Sequence, residues 1–138
     1  MDLETVPSGD FAKSLTGIGV NLLTQNVRKL AAFIMGTFGA AAHRLSDDFA
    51  IIKLGNTMIQ LHHDATYGSH PIQGILPDNP PRGAGVQLYL FGADPDEAVV
   101  KTQEYGGVFI EESRNKPHGL YEGSVGKVRY FVDLSWRI

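Results

Sequence analysis

A chain of 138 residues with 43% hydrophobic residues, 20% charged residues and a net charge of -3 can build one real core but not two independent domains. Its basic residues are scattered, so nothing can track a phosphate backbone and no nucleic-acid partner is expected. No stretch reaches the roughly 18 apolar residues of a membrane span, so no membrane partner is expected, and zero cysteines exclude disulfides, thiolate ligands and a Cys nucleophile and fit a cytoplasmic setting.

The first dozen residues carry Asp2, Glu4 and Asp10 without an apolar stretch, and read as a terminal tail and not a signal peptide. From Gly17 to Leu23 the chain alternates, with Val20 and Leu22 on one face and Gly19 and Asn21 on the other, which predicts a strand. A turn at Gln25-Asn26 leads into a helix. Asn26 can cap it, Val27, Leu30, Ala31 and Ile34 form its apolar stripe, and Gly36 and Gly39 are expected to end it. Phe49 to Leu54 and Thr57 to His63 read as strands joined by a Gly55-Asn56 turn, the clearest hairpin signal in the chain.

Asp64 to Gly83 holds Pro71, Pro77, Pro80 and Pro81 among glycines, a composition unsuited to a helix or a central strand. Beyond this connection the pattern begins again. Gly85 to Leu90 alternates, Gly92 to Pro95 turns, and a helix follows with Asp94 as cap, Pro95 in its first turn, Glu97 placed for a capping box, and Gly106-Gly107 at its end. Val108 to Glu111, Leu120 to Val125 and Val128 to Leu134 are the last strand candidates. One unit of about 60 residues buries too little apolar surface alone, whereas two such units make a normal core.

The order strand, helix, three strands, taken twice, resembles the glyoxalase/bleomycin resistance protein/dioxygenase superfamily, also called vicinal oxygen chelate proteins. The segments that carry the likeness are NVRKLAAFIMGTFG, GNTMIQLHH and RGAGVQLYLFGADPDEAV, with Asn26, Phe33 and Gly39 at the family's usual separations. The resemblance covers roughly residues 15–138 and implies an α+β fold: two βαβββ modules, about 15–64 and about 84–138, joined by a Pro/Gly-rich connection at 65–83. Their strands would form a curved mixed half-barrel sheet with helices outside and a ligand cavity inside the cup. Strand parity then puts Val20, Leu22, Ile59, Leu61, Val86, Leu88, Leu90, Val132 and Leu134 on the helix side. The cup side receives Gly19, Asn21, Met58, Gln60, His62, Gln87, Tyr89, Phe91, Phe131, Asp133 and Ser135, a mixture of aromatics and sparse polar groups that suits a small-molecule cavity.

Enzymes of that superfamily hold one divalent metal with a residue from the first and the last strand of each copy. Carried over by spacing, those positions are Gly19, Gln60, Gln87 and Asp133. The set contains no imidazole and a single carboxylate, a poor site for Zn²⁺, Ni²⁺ or Fe²⁺. The Asp-Pro-x-Gly turn that many members place before the final strand is replaced by Gly126-Lys127-Val128-Arg129, which leaves the register of Asp133 open by one residue. Adjacent His62 and His63 point to opposite faces of a strand and cannot chelate one ion together. Pro117-His118-Gly119 resembles a stretch found before the family's penultimate strand and reads equally as a plain turn, Asp47-Asp48 and Glu111-Glu112 read as solvated pairs, and no serine has nucleophile-elbow context.

The resemblance therefore implies a small-molecule-binding homodimer without cofactor, its cavity formed by Asn21, Met58, Gln60, His62, Gln87, Tyr89, Phe91, Phe131 and Asp133, sequestering an antibiotic or other organic ligand. The alternative is a lyase, isomerase or ring-cleaving dioxygenase that holds a divalent ion through Gln60, Gln87 and Asp133. A third reading is a domain whose cup is filled by its own loop.

Overall fold

The computed structural model describes residues 1–77, 82, 86–91, 94–115, 117, 120–127 and 130–137, with the side chains of 91, 108–113, 120–127 and 130–137 outside that description. Contacts divide the chain into two compact units, Met1–Ala31 with Gly39–Ile75, and Ala32–Phe38 with Leu76–Ile138.

The first unit begins with a helix that the sequence reading did not foresee, α1 (Ser8–Ser14), followed by β1 (Asn21–Thr24). Helix α2 (Val27–Phe38) starts where Asn26 Oδ1 accepts from Lys29 N–H at 3.0 Å, the expected cap. Its Val27, Leu30, Ala31, Phe33 and Ile34 are buried, as the apolar spacing requires. The helix passes through Gly36 and stops only at Gly39, whose φ of +72° is a left-handed terminus that glycine adopts without strain. Gly36 is kept for space instead: a Cβ there would lie 2.2 Å from the ring of Tyr105 in the second unit, of which this half of α2 is part.

A three-residue strand, β2 (Ala41–His43), then pairs with β3 (Phe49–Leu54), which turns through Gly55 (φ +58°) into β4 (Thr57–His63). The sheet order is β1-β4-β3-β2, with β1 parallel to β4 and the other pairs antiparallel. Register places Leu22, Leu61 and Ala50 on one face with Ile59 and Ile52, and Asn21, Gln60, Ile51 and His43 on the other with Leu23, His62 and Phe49. The connection, whose composition is unsuited to a helix or a central strand, opens with two 3-10 turns, Asp64–Tyr67 and Pro71–Ile75. Proline suits the start of such a turn because its missing N–H would be unpaired there anyway.

The first residues are no loose tail. Leu3 and Phe11 are buried with Ile51 in one cluster, against which Val6, Phe49 and Met58 pack. Arg44, held at φ +52°, donates from Nε to Leu3 O at 2.8 Å and from Nη2 to Val6 O, and its own N–H meets the Glu4 carboxylate at 3.1 Å. Composition alone hid this because Leu3, Val6 and Phe11 are too sparse to form a run, and become apolar cover only against a sheet face.

The second unit repeats the plan: β5 (Leu88–Phe91), α3 (Pro95–Glu104), β6 (Val108–Asn115), β7 (Leu120–Lys127) and β8 (Tyr130–Arg137), in the order β5-β8-β7-β6 with β5 parallel to β8. The strands begin or end a few residues from where alternation placed them, and the turn residues Gly83, Gly85, Gly92, His118, Val128 and Arg129 lie outside the described residues. Asp94 caps α3, accepting from Asp96 N–H at 3.0 Å and Glu97 N–H at 3.4 Å. Glu97 does not reach back to complete a capping box but pairs with Lys101 one turn on, at 2.6 Å. Pro95, Ala98 and Thr102 are the buried stripe of α3, which lies over β6, β7 and β8. The fold is α+β, two βαβββ modules each with its own mixed four-stranded sheet.

Candidate functional site in the first unit

The face of β4 that carries Met58, Gln60 and His62 gathers the polar groups of the first unit. Asn21 stands opposite Gln60 across the β1–β4 ladder, so its side chain lies on the same face. Its amide links two rings. Asn21 Oδ1 is 2.6 Å from His62 Nδ1, and Asn21 Nδ2 donates to the Tyr67 hydroxyl at 2.7 Å. An amide oxygen only accepts, so the His62 proton sits on Nδ1 and Nε2 is left as an acceptor. Tyr67, accepting from Asn21, keeps its own O–H to donate. The chain of contacts continues through rings: His62 stacks at a tilt against Phe49, with centroids 4.9 Å apart, and meets Tyr67 edge-on at 5.5 Å, which in turn meets His70 at 5.3 Å. Burial holds the His62 pKa below the ordinary imidazole value, because a half-buried ring is less readily charged.

His63 points the other way, as adjacency on a strand demands. Its Nδ1 accepts from Ala65 N–H at 3.0 Å and caps the 3-10 turn that delivers Tyr67. The two histidines therefore do separate work, and among the described residues no three His, Asp or Glu side chains converge as a metal cluster.

Two cavities open on this face. One of about 370 Å³ is lined by Phe11, Leu15, Gly19, Val20, Met58 and Gln60 among others. The second, of about 310 Å³, is lined by Ser8, Phe11, Ala12, Arg44, Phe49, Ile51, Gln60 and His62. Phe11 and Gln60 border both, and the Gln60 side chain has no hydrogen-bond partner among the described residues. Apolar walls with a few unspent polar groups are the usual make-up of a small-molecule site.

The structure thus brings together four of the residues expected in the cup, Asn21, Met58, Gln60 and His62. Of the second-unit candidates, Gln87 and Tyr89 are exposed and Tyr89 is the register partner of Asp133. The side chains of Phe91, Phe131 and Asp133 lie outside the described ones. Sequence reasoning missed Phe11, Arg44, Phe49 and Tyr67. Tyr67 is concealed in the proline-rich connection, 46 residues from the asparagine it meets.

No family model matches the sequence, and no curated protein matches it either. Solved structures do. A glyoxalase/bleomycin resistance protein/dioxygenase family enzyme from Burkholderia phytofirmans superposes with a TM-score of 0.70 at 17% identity, over 86% of this chain and 96% of that one. A glyoxalase-related enzyme from Fulvimarina pelagi gives 0.70 at 13% identity, over 89% of each chain. A hypothetical protein from S. aureus gives 0.72 at 21% identity, over 88% of this chain and 94% of that one. The fold is that of the glyoxalase/bleomycin resistance protein/dioxygenase superfamily. At such identities the likeness concerns the fold, and activity has to be argued from this chain's own residues.

Proposed function

We propose that the protein binds a small organic molecule on the polar-aromatic face of its first sheet, and that it does so without a metal ion. The observation that carries this reading is the pair of cavities bordered by Gln60, whose amide has no hydrogen-bond partner among the described residues, one of which also reaches the oriented imidazole of His62. Such a face can bind through Phe49 and Met58 while Gln60, His62 Nε2 and the Tyr67 hydroxyl supply the orienting contacts.

The donor set argues against a metal. Of the two carried-over positions in this unit, Gly19 has no side chain and Gln60 offers one neutral amide oxygen. A borderline ion needs nitrogen or several anionic oxygens to offset its dehydration. Sequestration of an antibiotic or similar ligand, a cytoplasmic location and a homodimer belong to the same reading. Open sheet edges such as β2 favour pairing of chains.

Native mass spectrometry with elemental analysis tests it. The expected result is a dimer, a saturable organic ligand recovered chemically unchanged, and transition metal well below one equivalent per chain. Turnover that vanishes with chelator and returns with metal would reverse the reading in favour of an enzyme using Gln60, Gln87 and Asp133.

A further inference from the structure

The N-terminal segment lies across the face that the proposed ligand would use, and it is built like a ligand. Its apolar part, Leu3 and Phe11, is buried on Ile51 with Phe49 and Met58 around it. Its polar part is anionic: the Glu4 carboxylate sits 3.3 Å from His43 Nδ1 and 3.1 Å from Arg44 N, and the Leu3 and Val6 carbonyls accept from the Arg44 guanidinium. Phe11 borders both cavities, and so does Gln60 on the sheet below.

We propose that residues 3–11 are a built-in competitor, that Phe11 is a removable partition, and that the two cavities are the ends of one trough for an elongated apolar organic anion, a carboxylate or sulfonate. The proposal rests on the reading of this face as the ligand site and adds to it the ligand class and its regulation. The charge follows from what departure of the segment leaves behind. Arg44 would lose two carbonyl acceptors and His43 its carboxylate, and a half-buried guanidinium without acceptors is costly. An incoming anion restores those contacts at one end of the trough, while Phe49, Ile51 and Met58 receive its apolar body in place of Leu3 and Phe11. Opening does not have to break a long helix. α1 has seven residues and no side-chain cap, so little of its helix survives apart from the sheet.

The test uses the full chain and two fluorescent probes, anilinonaphthalene sulfonate and its neutral parent phenylnaphthylamine, with affinity and hydrogen exchange as readouts. A competitor that occupies the site in nine-tenths of molecules weakens apparent binding about ten-fold. Phe11→Ala should therefore tighten sulfonate binding by about that factor. Glu4→Gln, which leaves the apolar packing intact, should shift it in the same direction by less and covers the case in which Phe11→Ala misfolds. Saturating wild-type protein with the sulfonate should speed exchange at the amides of Val6 and Phe11, whose hydrogen bonds go to Asp2 and Pro7 and hold the lodged segment in shape. Weaker sulfonate binding in Phe11→Ala, or slower exchange at those amides, makes Phe11 a wall of the site and overturns the competitor while the ligand reading stands. Equal affinity for the neutral probe removes the anion from the proposal. Absence of saturable binding of either probe in every variant sinks the ligand reading itself.

Discussion

Ile51 and Ile52 are neighbours in β3 and almost equally inaccessible, at 1% and 2% of their surface, yet they belong to different kinds of interior. Ile52 shares its face with Ala50 and Leu61, both fully buried, and that face carries no polar side chain in the central part of the sheet. Ile51 shares its face with Gln60, Phe49 and His62, and it is covered by Leu3 and Phe11, with Phe11 bordering two cavities. The first face is committed to folding. The second is covered without being filled, and a face of that kind can exchange its cover for a ligand.

The largest expected effect comes from swapping character across that divide. Leu61→Gln would bury an unpaired amide on the closed face and should cost about 3 kcal/mol, measured as a fall in the urea midpoint at unchanged slope. Gln60→Leu, one residue away, orphans no partner among the described residues, where its side chain makes no hydrogen bond, and should stay within about 1 kcal/mol. Should the tolerances come out reversed, the two faces have been assigned the wrong way round and the candidate site goes with them.

A smaller effect is expected from Phe11→Ala. Deleting a core phenylalanine usually costs about 3 to 5 kcal/mol, part of it for the cavity left behind. Here two cavities already border the residue, so the new space joins existing openings, and about 2 kcal/mol is expected from the same bookkeeping. Loss on the full core scale would show the N-terminal segment to be an integral layer of the fold and weaken its case as a displaceable cover.

Local chemistry made much of this legible. The Gly55-Asn56 hairpin, the Asn26 and Asp94 caps and the Gly39 and Gly106 helix ends each depend on a few consecutive residues, and each stands where the sequence put it. Parity likewise brought Asn21, Met58, Gln60 and His62 to one face. What stayed hidden depends on distant partners. β2 has three residues and exists through its register with Ile51, Ile52 and Lys53, and α1 earns its place only against the sheet. One signal was available. The segment FAIIKL is apolar on both faces, with Ala50 and Ile52 on one and Phe49 and Ile51 on the other, and a strand of that kind requires cover on both sides.

The smallest effect concerns protons, and it separates the two faces by pH. His62 is a titrating group of the covered face, hydrogen-bonded to Asn21 and flanked by Phe49 and Tyr67, and burial lowers its pKa from the ordinary 6.5. A folded-state pKa below the unfolded one means that the unfolded chain takes up protons first as pH falls. The stability this group contributes is therefore complete above the ordinary value and is lost as pH drops through the lowered one. Unfolding midpoints followed from pH ~7.5 to ~5 should decline, and His62→Gln should decline less over the same interval. Protonation also removes the Nε2 acceptor, so binding of a ligand that donates to it should weaken over the same interval in wild type but not in the glutamine variant. A variant whose midpoint falls as steeply as wild type would show that His62 is not the group responsible.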